Sequence, residues 1–217
     1  VLDGSLAIAT IPPVVPTGIS TDTRAWISVK GSLANMSFDG ITGLTLSLDS
    51  LSVEINRATG AYDADGSGAG APTDAVALDW TGALDLNGNS TFGESADQLV
   101  VGGTPMDLLN GLVRASGTGT VNVFDFVTGA VSFSFEQSTV DIDVNADGVF
   151  APGTPPGLPT GRGPPTYPDL KDATLTTLGL SVLSAGLTIG IPGGVGLHVG
   201  SGTLALAVVT PNAAAVG

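Results

Sequence analysis

Three short stretches of this chain set oxygen-bearing side chains at alternate positions. In Asp143-Val-Asn145-Ala-Asp147-Gly148-Val149 the first, third and fifth residues are Asp, Asn and Asp, a glycine stands sixth, and Val149 offers its carbonyl. That order is the opening half of a calcium loop, where a hard cation collects about six to eight oxygens from one tight turn. The closing glutamate of such a loop is absent, since Thr154 stands in its place, so closure falls to Asp141, Asp169 or Asp172. Asp85-Leu-Asn87-Gly-Asn89-Ser-Thr91-Phe-Gly-Glu94 repeats the spacing, with Ser90 where the glycine belongs, Glu94 closing early and Asp97 beyond it. The third stretch is Asp63-Ala-Asp65-Gly66, with Asp74 and Asp79 downstream. The competing reading of the Asp143 stretch is an Asx-rich turn after a strand. Calcium is the cofactor these spacings predict.

Other chemistries lack their residues. Cysteine is absent and His198 is the one histidine, which excludes thiolate zinc sites, disulfides and Cys nucleophiles and leaves no positioned base for a Ser-His-Asp arrangement. Gly-Gly-Val-Gly-Leu-His-Val-Gly at 193–200 approaches a calcium-binding nonapeptide, but His198 stands where the Asp ligand is needed, so it reads as a Gly-rich turn with a surface histidine. Paired carboxylates for glycoside hydrolysis are available among so many Asp, yet two Trp and two Tyr give few platforms for sugar stacking. Asn35-Met-Ser37 and Asn89-Ser-Thr91 match glycosylation acceptors, a pattern frequent by chance. The expectation is that the chain is not an enzyme.

Charge narrows the partners. There are 20 acidic residues against 6 basic ones, a formal charge of −14, and the basic residues are scattered. Nucleic acid and anionic membrane surfaces both need clustered Lys and Arg, so neither is expected as a partner. Of the acids 17 are Asp, the residue of turns and oxygen-ligand sites, which favours divalent cations instead. No apolar run is long enough for a transmembrane helix, and Val1 opens inside a strand pattern rather than a signal peptide, so an export signal is expected to lie outside this segment.

The elements that must position these residues are strands. Alternation of period two recurs in Ser5–Ile11, Trp26–Leu33, Leu44–Ile55, Thr120–Phe126, Ala130–Phe135, Val140–Val144, Leu187–Ile191 and Thr203–Val209. Thr128-Gly129 is expected to turn a hairpin, and Phe124, Phe126, Phe133 and Phe135, at even spacing, to share the core face. Pro105–Ala115 fits either a short helix or a buried strand. Residues 60–75 and the Pro-rich 151–168 read as loops, as does the shorter 12–23. The fold class expected is all-β, an elongated β-solenoid or long β-meander, with a β-sandwich as the alternative; small residues and few aromatics suit closely stacked layers better than a sandwich core.

The two ends of the chain resemble each other. Val1-Leu-Asp-Gly-Ser-Leu-Ala-Ile-Ala-Thr-Ile-Pro-Pro13 laid over Val199-Gly-Ser-Gly-Thr-Leu-Ala-Leu-Ala-Val-Val-Thr-Pro211 is identical at six of 13 positions, at an offset of 198 residues. Convergence of alternating Leu/Ala strands is the plain explanation. The sharper one is a tandem repeat, with 1–13 and 199–211 equivalent and residues 1–217 one β-rich module whose partners are neighbouring copies, head to tail in a fibre.

The Asp-Leu-Asn-Gly-Asn-Ser-Thr-Phe-Gly and Asp-Val-Asn-Ala-Asp-Gly-Val-Phe segments, with Asp169-Leu-Lys-Asp-Ala-Thr-Leu-Thr-Thr-Leu-Gly-Leu, resemble repeat units of very large, Asp-rich, cysteine-free bacterial surface or secreted proteins of the adhesin-like, RTX-style calcium-dependent kind. The resemblance is one of style across most of the chain. It implies an extracellular or cell-surface structural module of a filament, matrix or giant adhesin, stiffened by calcium. The alternative function is a host-receptor- or glycan-binding module whose loops 60–75 and 151–168 form the binding face.

Overall fold

The structure, a computed structural model, describes residues 3–13, 21–63, 72–150, 169–191 and 194–212. The protein is all-β. Its strands are β1 (Asp3–Ile11), β2 (Thr21–Asp22), β3 (Ala25–Ile41), β4 (Leu44–Thr59), β5 (Ala61–Asp63), β6 (Thr73–Asp74), β7 (Val100–Val101), β8 (Thr104–Pro105), β9 (Leu112–Val123), β10 (Val127–Ile142), β11 (Leu170–Gly190), β12 (Gly196–Val199) and β13 (Gly202–Thr210). Among the described residues the helical part is one 3-10 turn, Ser95–Asp97, and no helix is long and apolar enough to cross a membrane.

An eight-stranded sheet carries the architecture, in the order β1-β3-β4-β9-β10-β11, with β12 and β13 lying one after the other along the outer edge of β11. Every pairing is antiparallel and none of the sheets closes. Two small sheets, β2-β5-β6 and β7-β8, lie off it.

Alternation along the strands gives the sheet two different faces, since directly paired residues point the same way. One row runs Leu6, Gly31, Val53, Ala115, Phe135, Leu178, Leu206 across seven strands. This face is apolar and open to solvent, with Leu6 68% and Leu204 55% exposed. On the opposite face the row Ser5, Ser32, Ser52, Ser116, Ser134 is followed by Lys30, Glu54, Arg114, Glu136. Hydroxyls pair across strands here, as in Ser5–Ser32 at 2.8 Å and Ser47–Thr120 at 2.8 Å. Arg114 bridges Glu54 and Glu136, each at 2.8 Å, and these two carboxylates raise its pKa above the usual guanidinium range.

At its β1 end the polar face is covered. The excursion between β6 and β9 lays Trp80, Met106 and Leu108 over Ala7 and Ala9, which are fully or nearly fully buried, with Ile11, Trp26 and Leu112 packed around them. Asn56 of β4 pins this cover. Its Oδ1 accepts the Trp80 indole N–H at 2.9 Å, and its Nδ2 donates to the Leu78 and Asn110 carbonyls at 2.8 and 3.1 Å. A buried amide satisfied on both ends fixes where the cover sits.

Several expectations are corrected. The β9–β10 hairpin turns at Phe124-Asp125, both with positive φ, and Thr128 and Gly129 are strand residues opposite Asn122 and Val121. Phe124 and Phe126 are therefore exposed at the tip, 65% and 50%, while Phe133 and Phe135 sit half-buried on the apolar face. Pro105–Ala115 is no helix: β8 ends in it, β9 begins in it, and Met106 and Leu108 lie between. Gly196–Val199 of the Gly-rich 193–200 stretch is strand β12 rather than a turn, while His198 is exposed as expected, its Nδ1 3.0 Å from Thr188 Oγ1. The described ends of the 60–75 loop are strands β5 and β6, and residues 151–168 lie outside the described residues.

Candidate functional site

The Asp85 loop sits within the cover, between Trp80 and the 3-10 turn. Asp85 Oδ1 accepts the Gly88 and Asn89 amides at 2.7 and 3.1 Å, and its Oδ2 accepts Ser90 at 2.9 Å. Asn87 Oδ1 takes the Asn89 amide and Asn89 Oδ1 the Thr91 amide, at 2.9 and 2.7 Å. Glu94 Oε2 accepts from both side-chain amides, Asn87 at 3.3 Å and Asn89 at 2.8 Å. The five sequence-selected residues Asp85, Asn87, Asn89, Thr91 and Glu94 are thus brought together.

The Asp143 loop, which follows β10, has the same internal bonding. Asp143 Oδ1 accepts Ala146 at 2.7 Å and its Oδ2 accepts Gly148 at 2.8 Å. Asn145 Oδ1 takes the Asp147 amide and Asp147 Oδ1 the Val149 amide, both at 2.8 Å. The backbones agree too: the fourth and sixth residues of each loop are left-handed, Gly88 and Ser90 at φ 72 and 66, Ala146 and Gly148 at φ 58 and 80.

Each loop is gripped from outside by one buried aspartate. Asp97, 1% exposed, accepts the Leu86 and Asn87 amides on Oδ1 at 3.0 and 3.3 Å, and its Oδ2 is buried without a hydrogen-bond partner. Asp169, 4% exposed, accepts the Val144 amide at 2.9 Å. Of the three carboxylates expected to close the Asp143 loop, Asp169 touches it. Asp141 instead accepts the Asp172 amide at 2.9 Å. Spacing alone left Asp97 outside the Asp85 set; its place in the 3-10 turn after Glu94 is what returns it to the loop.

Most of the third stretch lies outside the described residues. Asp63 is the last residue of β5, opposite Thr21, and Asp65 lies outside the described residues. Nearby, Asp22 pairs with Arg24 at 2.7 Å, and that guanidinium lies over the Trp26 and Tyr62 rings. The Arg24 side chain holds the Asp22 carboxyl below the usual carboxylate range. Asp79 is held low chiefly by the Thr81 hydroxyl, then by the Thr81 amide. Among the described residues no group of three or more His, Cys, Asp and Glu is arranged to hold a metal by itself, so any cation here would draw on Asn and carbonyl oxygens as well.

Comparison with protein-family models, with curated proteins and with solved structures gives no match.

The two edges of the large sheet form the other candidate surface. β1 and β13 are its outer strands, separated by six antiparallel steps, so they run in the same direction. Leu6 and Ile8 of β1 and their sequence equivalents Leu204 and Leu206 of β13 lie on the same apolar face. The opposite sides differ in one respect. Ala7 and Ala9 are buried under Trp80, Met106 and Leu108, whereas every residue of β13, Ala205 and Ala207 included, is exposed.

Proposed function

We propose that this chain is a structural repeat module of an extracellular bacterial filament, matrix or giant adhesin, in which units join head to tail and continue one β-meander. The observation that carries the reading is the relation between β1 and β13. They share sequence, direction and face, and β13 lacks only what β1 has: a β3 strand on its free side and a cover over its alanines. An even number of antiparallel steps lets one strand end a unit and begin the next without reversing the sheet. The meander reading, rather than a solenoid, is supported by strands that pair with their neighbours in chain order, all antiparallel. The row beginning at Leu6 ends at Leu206, while Leu204 is the sequence equivalent of Leu6. Each unit therefore slides by two residues, ~7 Å along the strand, and an even slip preserves the faces. Open strand edges are what a terminal position in an array leaves bare. The open apolar face is a further surface for lateral association between copies.

The test is a two-unit chain in which Pro211 is followed directly by Val14 of a second copy, so that one β13 must serve both units. Small-angle X-ray scattering should show a single body lengthened across the strands by six strand spacings, ~29 Å. Two bodies moving independently, or an unfolded second copy, would refute the reading.

A further inference from the structure

We propose that the loop from Asp85 to Asp97 holds a calcium ion, closed by the buried Oδ2 of Asp97. A carboxylate oxygen removed from water and given no donor is costly, and folded proteins rarely leave one so. Asp97 is held with one oxygen on the loop amides of Leu86 and Asn87, which sets the other oxygen at the same loop with no protein partner. A cation resolves what no donor in the protein does. The rest of the loop supplies a hard ion's ligands: Asp85, Asn87 and Asn89 through side-chain oxygens and Thr91 through its carbonyl. Among the described residues no Lys or Arg pairs with Asp85, Glu94 or Asp97, so three negative charges in one loop are balanced by no cation of the chain itself. Mixed carboxylate, amide and carbonyl oxygens on an irregular loop suit calcium, which accepts variable geometry, better than magnesium, which demands an octahedron and keeps its waters.

The proposal is independent of the head-to-tail reading, because one unit suffices to test it. Hydrogen–deuterium exchange is followed across residues 85–97 in the full chain, with calcium chloride, magnesium chloride or chelator, for the wild type and Asp97→Asn. Calcium should slow exchange in this segment and magnesium at equal concentration should not. Asp97→Asn should lose the calcium response, yet melt in chelator no lower than the wild type, since it discards an uncompensated buried charge. A purely structural Asp97 would behave otherwise, lowering the melting temperature equally with and without calcium, and that result overturns the proposal. So does wild-type exchange that is the same in calcium and in chelator, a comparison that needs no variant to fold.

Discussion

Asp97 and Asp169 stand in the same relation to two different loops: each is buried, and each accepts the amide of the loop's second residue, Leu86 in one and Val144 in the other. The loops differ in sequence at the positions that matter most for their shape. One places glycine fourth and serine sixth, the other alanine fourth and glycine sixth, although both positions are left-handed in both loops. Side chains with a Cβ occupy that region at a cost, and glycine does not.

Ser90→Gly and Ala146→Gly should therefore each stabilise the protein, by about 1 kcal/mol, because the strain relieved exceeds the entropy glycine adds to the unfolded chain. Urea midpoints measure this. A loss of stability in both variants would show that neither backbone is strained as described.

Asn56→Ala should destabilise far more than a surface change. It strands the Trp80 indole N–H and removes a donor from the Leu78 and Asn110 carbonyls inside the cover. The expected loss is about 3 kcal/mol, with the Trp80 emission shifted to the red as the cover loosens. Unchanged emission and stability would mean that packing alone seats the cover.

Acid should weaken the fold through the aspartates held low. Asp79 owes its depressed pKa first to the Thr81 hydroxyl and then to the Thr81 amide. A depressed carboxylate contributes stability that is fully present above its unfolded pKa, near 3.8, and is lost as pH falls through the lower folded value. Asp79→Asn should melt lower than the wild type at pH 6 but lose less between about pH 5 and 3. Melting curves across that range decide it, and parallel slopes would contradict the assignment.

Alternation made the β class legible, because the large sheet has one apolar and one Ser/Thr-rich face and the period of two is written into nearly every strand. The hairpin tip was not legible. Gly129 looks like a turn residue, but it is a strand residue kept small by the Gly186 carbonyl, which would stand 2.7 Å from a Cβ there. The turn goes instead to Phe124-Asp125, braced by mutual bonds between Asn122 and Asp125 at 2.8 Å. The core was hidden for a different reason. Trp80, Met106 and Leu108 lie on an irregular excursion without periodicity, and their packing over Ala7 and Ala9 is what makes them a cover. The loop spacings of Asp85 and Asp143 were readable, and Asp97 and Asp169 stood among the carboxylates beyond them, but which carboxylate grips each loop depends on a 3-10 turn in one case and the residue before β11 in the other.

The shared strand is tested most directly by a disulfide. Ser5 of β1 and Ser32 of β3 have their hydroxyl oxygens 2.8 Å apart, and Thr203 is the β13 equivalent of Ser5. In the two-unit chain joined at Pro211 and Val14, Thr203→Cys is placed in the first copy and Ser32→Cys in the second, on a background without other cysteines. If β13 takes the place of β1 against the next β3, mild oxidation should close this disulfide within one chain in high yield, because the paired positions lie within bridging distance. Free thiols after oxidation, or cross-links only between separate molecules, would contradict the account.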